Sequence, residues 1–465
     1  MSNAERVIVV GADAAGMSAA HQALRTARTT GRDIDVVVLE KTQDTSYSAC
    51  GIPYVLAGLV GSTDELSART ADKHRAMGVD LRLGATATGL DMATRTVTSV
   101  TDDGRESHLP FDKLVLATGA DAIVPPWARD SDDHLITGVL TVKNLEDARS
   151  WLDLLVGREA TARPRGAVVV GGGYIGVEMA EAFLARGLAT TLITRGAVMS
   201  TLDPLMSERV TAALEAAGIR VVTDTTVIEL DTHHGTVRAV TTAAGDTYPA
   251  DVVALGIGLR PASALGAGAG LAIGGHGGYL PDDQQRIGDG VWAAGDCCEV
   301  LDRMRGKSVF SPLGTHANKQ GRVCGYNIAG EHRTFAGILG TAITRFSHGD
   351  THLEIARTGL STTDALAMGF EAESLTTEGG TASGYMAERA PIAANIIADR
   401  RTRRLLGVQV VGGAQAGKRI DTAAAALWGE MAIDDLAEMD LSYAPPFATV
   451  WEALQLAARR LADRL

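Results

Sequence analysis

The stretch Arg6-Val7-Ile8-Val9-Val10-Gly11-Ala12-Asp13-Ala14-Ala15-Gly16, followed by Met17-Ser18-Ala19-Ala20-His21-Gln22-Ala23-Leu24-Arg25, reads as a short apolar strand, a tight turn and a helix. That order opens a dinucleotide-binding fold, in which the N–H groups of a helix N-terminus face a pyrophosphate. An acidic residue follows where such a fold needs one: Glu40 closes the next strand 24 residues after Gly16, near an adenosine ribose. Asp13 stands in place of the middle glycine of the motif, so the reading rests on strand, turn, helix and Glu40 together. The pattern returns 160 residues later as Ala167 to Val170, Gly171-Gly172-Gly173-Tyr174-Ile175-Gly176 and Val177 to Ala185, now with GxGxxG complete. Two phosphate-cradling helix N-termini in one chain imply two dinucleotides, an arrangement suited to moving electrons between a nicotinamide and a flavin.

The two copies differ at the end of their second strand. Where the first has Glu40, the second reads Thr191-Leu192-Ile193-Thr194-Arg195. A carboxylate there pairs with a free ribose 2′-hydroxyl and repels a 2′-phosphate, whereas a guanidinium favours the phosphate. The second site is therefore expected to prefer NADPH, with NADH as the alternative.

Between the copies, Ser46-Tyr47-Ser48-Ala49-Cys50-Gly51-Ile52-Pro53-Tyr54 sets one cysteine just before an expected helix, Pro53 to Leu59. A helix N-terminus stabilises a thiolate, and Pro53 suits a first helical turn. The other cysteines, Cys297, Cys298 and Cys324, are too few and too scattered for a disulfide framework or a zinc site, which favours a reducing, cytoplasmic setting. Adjacent Cys297 and Cys298 bridge only through a strained ring and are expected to pack beside the Asp296 strand, with Cys324 in the core.

At 465 residues the chain holds about three domains at roughly 150 residues each. Its net charge of −13 disfavours nucleic acid and anionic membrane, so a polyanionic ligand must be met by local basic groups. No apolar run approaches membrane-spanning length, and the N-terminus lacks a basic leader. A strand pair is expected at Leu81–Asp91 and Thr96–Thr101, and buried strands at Leu114–Gly119, Val252–Gly256 and Gly290–Asp296. From about Phe335, strands at Gly340–Phe346 and Leu405–Val411 with helices at Ala423–Trp428 and Ala448–Leu465 predict an antiparallel sheet with helices, a common site of dimer contact.

With these residues assembled, the chain resembles the pyridine nucleotide-disulfide oxidoreductases, and within them the single-cysteine branch of coenzyme A-disulfide reductases, coenzyme A-persulfide reductases and NADH oxidases. The matching elements are Ser46-x-x-x-Cys50-Gly51-Ile52-Pro53-Tyr54, Ala117-Thr118-Gly119, Gly171 to Glu178, Ala294-Gly295-Asp296, Pro312 to Ala317, Lys418-Arg419-Ile420-Asp421 and Tyr443 to Phe447. The resemblance implies an α/β fold: two Rossmann-like domains, one for FAD (1–147 and 281–335) and one for NAD(P)H (148–280), plus a C-terminal α+β dimerisation domain (336–465) that makes a homodimer. It implies cofactor contacts at Gly11, Ala15, Gly16, Glu40, Lys41, Thr118, Gly119, Asp296, Thr315 and Ala317. For the nicotinamide nucleotide it implies Gly171, Gly173, Tyr174, Ile175, Gly176, Glu178, Arg195 and Gly256. Cys50 has no partner cysteine four or five residues away, which excludes an internal disulfide, and no C-terminal His-Pro-Thr is present. Tyr443 and Tyr385, the latter read at a strand start, stand in that region and by resemblance act from the partner subunit.

The resemblance implies NADPH-dependent reduction of a small disulfide or persulfide through Cys50, with coenzyme A disulfide the best candidate; the alternatives are an oxidase cycling Cys50 through sulfenic acid and a flavin-bearing redox sensor. Ser18, Gln22, Arg25, Ser46, Lys73 and Asn318 stand at positions that contact coenzyme A, Arg25 and Lys73 meeting its phosphates. Three positions depart from the branch: Ala49 replaces an asparagine, Asn318 a histidine and Trp451 a lysine, the last removing one cation from a phosphate contact.

Overall fold

The computed structural model describes residues 4–157 and 163–465, which group into two compact units. The first comprises Met1–Ile52, Gly61–Ile123 and Gly258–Ile338. Its six-stranded sheet runs Arg286–Gly288, Val291–Ala293, Lys113–Leu116, Glu5–Val10, Ile34–Leu39, Val79–Arg82. All pairs are parallel except the first. The Glu5–Val10 and Ile34–Leu39 strands each end in four consecutive buried residues, as a strand covered on both faces requires. Val7, Val9, Val36 and Val38 pack with Ala15, Ala19 and Ala23 of the Ala14–Thr30 helix and with Cys324 and Ile328 of the Gly314–Ile328 helix. The two helices approach closely: a Cβ at Gly321 would lie 2.1 Å from the Ala15 carbonyl oxygen. On the opposite face, Ile8, Val10, Val37 and Leu39 pack with Ala85 and Val97 of a three-stranded sheet.

That smaller sheet corrects one expectation. The segment read as a single strand from Leu81 to Asp91 is two: Val79–Arg82 joins the parallel sheet, and Ala85–Asp91 turns away to pair with Thr96–Thr101, itself paired with Glu106–Pro110. The break falls at Leu83-Gly84, where Gly84 takes a positive φ that ends the extended run.

The second unit comprises Pro53–Val60, Val124–Ile257 and Leu339–Leu465. It holds a parallel sheet ordered Arg220–Val222, Ala189–Ile193, Gly166–Val170, Val252–Leu255, Val139–Thr141, and a three-stranded meander from Val227 to Pro249. Its third sheet is antiparallel, in the order Ala342–His348, Thr351–Gly359, Leu405–Gly412, Pro391–Asp399, Ala372–Gly380, as the sequence pattern beyond Phe335 suggested. Helices Ile420–Trp428, Ile433–Glu438 and Ala453–Ala462 follow it. A buried carboxylate ties this sheet to the helix Pro204–Ala216: Asp203, at the helix N-cap, accepts hydrogen bonds from the Thr362 amide (3.0 Å), the Thr362 hydroxyl (2.5 Å) and Asn395 Nδ2 (2.8 Å). Among the described residues no helix is long and apolar enough to cross a membrane.

Candidate functional site

In the first unit the strand ending at Val10 turns at Gly11, whose φ is +105°, and enters the helix at Ala14. A Cβ at Gly11 would lie 2.1 Å from the Ala117 carbonyl oxygen, and one at Gly16 would lie 1.8 Å from that of Gly11. The glycines thus hold the turn against the neighbouring strand end. The helix N-terminus has no side-chain cap and no acidic residue in its first turn, so its N–H groups face outward for an anion. Glu40 is locked beside this turn, one carboxylate oxygen accepting from the Ala12 amide (2.8 Å) and the other from the Thr42 amide and hydroxyl (both 2.9 Å). Lys41 is exposed, 3.9 Å from Asp121. The Thr118 hydroxyl donates to the Ala262 carbonyl (2.5 Å), and Gly119 takes a positive φ of 73°. Gly295, just before Asp296, donates to buried Gln320 of the Gly314–Ile328 helix (2.9 Å), which also carries Thr315, Ala317 and Asn318. A glycine cradle that a Cβ would fill, an uncapped helix and a fixed carboxylate at the strand end fit the adenosine diphosphate half of FAD.

Cys50 is exposed and lies in a 3-10 turn, Ala49–Gly51, which runs directly into a six-residue helix, Ile52–Ala57. Cys297, Cys298 and Cys324 are buried and all four cysteines are outside disulfides; the Cys297 and Cys298 sulfurs are 3.9 Å apart. Burial pushes the Cys298 and Cys324 thiols up, so they are inert next to Cys50. The candidate substrate residues lie on three helices and the loop before Cys50. The Ser18 hydroxyl donates to Asn318 Oδ1 (2.9 Å), and exposed Arg25 donates to buried Gln22 (2.9 Å). Lys73 is exposed on the Ala71–Ala76 helix. Ser46, at φ +49°, bonds His74 Nε2 (3.0 Å), and His74 Nδ1 in turn meets His21 Nε2 (2.7 Å). The two histidines were missed in the sequence: they are 53 positions apart, and only the packing of two helices brings them together. His316 is buried at the start of its helix, its Nδ1 3.2 Å from the Ser311 carbonyl, and burial holds its pKa below the usual imidazole range.

The second unit repeats the cradle. Gly171 has φ +117°, and a Cβ there would lie 2.2 Å from the Gly256 oxygen; one at Gly176 would lie 1.9 Å from the oxygen of Gly171. The Tyr174–Ala185 helix starts at Gly173 with no side-chain cap and no first-turn acid, while Ile175 and Tyr174 form its first turn. Arg195 is exposed two residues beyond the Ala189–Ile193 strand. Glu178 accepts from the Thr344 hydroxyl (2.7 Å); burial, with Glu181 nearby, pushes its carboxyl up to about 7. Glu181 accepts from the Ser347 amide (2.8 Å), and Arg345, 3.7 Å from Glu181, also stacks over the Tyr54 ring.

Tyr385 is not at a strand start: it sits in the loop after the Ala372–Gly380 strand, where chain reversal to Pro391 leaves it 77% exposed. Its loop joins that of Tyr443, since the Ser383 amide donates to the Pro445 carbonyl (2.9 Å). Arg419 pins both, donating to the carbonyls of Thr381 (2.8 Å) and Phe447 (2.6 Å) while pairing with Glu452 (2.6 Å). Tyr443, Phe447, Val450 and Trp451 are 47, 68, 71 and 41% exposed, a large apolar patch for a chain alone in water.

Two nucleotide cradles and a solvent-facing cysteine between their segments define a dinucleotide-dependent oxidoreductase. Comparison places it further: residues 5–321 match the model for pyridine nucleotide-disulphide oxidoreductases and residues 350–454 the dimerisation domain of the same enzymes, so the chain belongs to this family. It is 36% identical to the NAD(P)H coenzyme A polysulfide/persulfide reductase of Pyrococcus horikoshii over 98% of each chain, and 32% identical to an NADH oxidase of Methanocaldococcus jannaschii over 99% of each. A solved NAD-dependent persulfide reductase from A. fulgidus superimposes with a TM-score of 0.91 at 32% identity, covering 99% of this chain and 83% of that one. The chain is thus a flavoprotein oxidoreductase that uses FAD and NAD(P)H.

Proposed function

We propose that the protein reduces a small-molecule disulfide or persulfide with NADPH through Cys50, coenzyme A disulfide being the best candidate. The observation that carries this reading is the single exposed sulfur at Cys50, set against three buried ones, in a chain with two nucleotide cradles. The Cys50 thiolate attacks a disulfide, forming a Cys50–substrate mixed disulfide and releasing one thiolate. FAD, when bound, supplies the electron pair from the nicotinamide that returns this mixed disulfide to thiolate and free thiol. Residues 1–147 and 281–335 hold FAD through the Gly11 cradle, Glu40 and Asp296, and residues 148–280 hold the nicotinamide nucleotide through Gly171 to Glu178. Exposed Arg195 meets the 2′-phosphate, which supports NADPH over NADH. Arg25, Lys73, Ser18, Asn318 and Ser46 line the approach of a phosphate-bearing thiol, which two exposed cations and their hydroxyl neighbours suit. Tyr385 and Tyr443 serve the site of the partner in a homodimer, and the reaction belongs in a reducing, cytoplasmic compartment.

The test is anaerobic oxidation of NADPH with coenzyme A disulfide, together with the intact mass of the native protein before and after reductant. Turnover that vanishes in Cys50→Ser and a mass loss equal to one bound thiol support the reading; turnover indifferent to Cys50 sinks it. A second reading, oxygen reduction through a Cys50 sulfenic acid, is favoured by the Methanocaldococcus jannaschii relative, named an NADH oxidase. Rapid oxygen uptake without added disulfide selects it.

A further inference from the structure

Behind Ser46 in the Cys50 loop lie two buried histidines with no part in the reading above. His21, on the Ala14–Thr30 helix, is 8% exposed, and His74, on the Ala71–Ala76 helix, is 1% exposed. Their rings stack with centroids 5.0 Å apart. Both His74 nitrogens are occupied, Nδ1 by His21 Nε2 at 2.7 Å and Nε2 by the Ser46 hydroxyl at 3.0 Å. Ser46 is held on every side: its amide donates to the Ala12 carbonyl (3.2 Å), its carbonyl accepts from Ala68 (2.8 Å), and its φ of +49° is one a serine seldom adopts. An apolar pair would fill the same space at lower desolvation cost. Here two imidazoles in series, His21 to His74 and His74 to Ser46, end on one half-buried hydroxyl four residues before the exposed cysteine.

We propose that His21 and His74 are positioning residues for the sulfur reaction, a directional hydrogen-bond relay that sets whether the Ser46 hydroxyl presents a proton or a lone pair in the Cys50 loop. The inference rests on the reading of Cys50 as the reacting thiol. Burial holds both pKa values down to about 4, helped by the positive charges of Arg69 and Arg25 at His21 and by His21 and Arg69 at His74, so both rings are neutral near neutrality. A neutral His74 has one ring proton, so only one of its nitrogens donates. In one state His21 Nε2–H donates to His74 Nδ1, His74 Nε2–H donates to Ser46 Oγ, and the serine proton points outward. In the other, Ser46 donates inward, His74 Nδ1–H donates to His21, and only oxygen lone pairs face out. Both states carry the same number of protons, so the switch needs no net uptake. A thiolate leaving group in the loop selects the outward donor, and a neutral thiol selects the acceptor.

The test uses the FAD-loaded enzyme. His74→Phe is expected to lower kcat with the disulfide about tenfold, with KM little changed and reduction of the enzyme by NADPH unaffected. Ser46→Ala is expected to lower kcat similarly, and the double variant no further than the worse single, because both remove one relay. Multiplying losses, or equal losses in both half-reactions, would mean a merely structural pair and overturn the proposal. A wild-type measurement guards against a variant that does not fold. Histidine ring 15N spectra are expected to show two neutral imidazoles from pH 5 to 8, with a tautomer change when the thiolate form is converted to the mixed disulfide; a fixed tautomer would overturn the relay. Cys50→Ser separates the two layers. If it retains disulfide turnover, the reading of Cys50 fails; if it is inactive while His74→Phe keeps wild-type kcat, only the relay falls.

Discussion

Gly11 shows how one missing methyl group makes a nucleotide site. Its backbone sits at φ +105°, and an added Cβ would fall inside the Ala117 carbonyl oxygen. Gly11→Ala is therefore expected to yield protein with most of its flavin absorbance lost, measured as FAD per chain after purification, and Gly171→Ala to raise the KM for NADPH while keeping its flavin. Arg195→Ala is expected to weaken NADPH about tenfold or more and leave NADH nearly unchanged, read as the ratio of the two kcat/KM values. The glycines and Glu40 were legible in the sequence because their constraint is local: a turn, a strand end and a helix start lie within 30 residues. His21 and His74 were not, since neither has a local pattern and their meeting depends on where two helices pack. Arg419 stood in a quoted motif, yet its hold on the Tyr385 and Tyr443 loops depends on backbone carbonyls 38 and 28 residues away.

At the scale of elements, the helix after Cys50 is shorter than the sequence suggested, six residues rather than a run to Leu59, and it ends on a borrowed cap. Arg186 donates to the carbonyl of Leu56 (2.5 Å) and to that of Val55 (3.3 Å), the latter also accepting from the Gly58 amide (2.9 Å). Its Pro53-Tyr54 start was readable from residue type; its stop is a local signal that the reading passed over, Gly58 at φ +83° with the Leu59 amide donating back to the Tyr54 carbonyl (2.9 Å), and only the Arg186 contact, 130 positions on, lay beyond it. The strand break at Leu83-Gly84 was missed because Gly84 ends the extended run only locally, while the change of sheet depends on distant partners, Leu39 opposite Arg82 and Thr101 opposite Ala85. Asp203 carries a larger load. Its buried carboxylate serves three donors, so Asp203→Ala is expected to cost about 3 kcal/mol, seen as a lowered thermal midpoint with the flavin spectrum unchanged.

For the whole molecule, a buried carboxyl and a buried histidine pair act on stability with opposite signs across mildly acid pH. The folded carboxyl of Glu178 holds its proton up to about pH 7 against 4.5 when exposed, so the folded chain binds more protons in that window and stability falls as pH rises through it. His21 and His74 do the reverse: unfolded imidazoles take protons below 6.5, folded ones only near 4, so their contribution is lost as pH falls through that range. Glu178→Gln removes the falling component, and its thermal midpoint is expected to climb more between pH 5 and pH 7 than that of the wild type. In the C-terminal domain, a charge introduced on the apolar patch, as in Phe447→Glu, is expected to shift sedimentation from dimer to monomer.

The burial of three of the four cysteines has a practical side. Once Cys50 is reduced, native protein offers a maleimide dye one attachment point per chain, whereas an opened chain offers four. Counting dyes by mass thus tallies how many molecules have come apart, with no engineered tag and without consulting any optical signal from the cofactor.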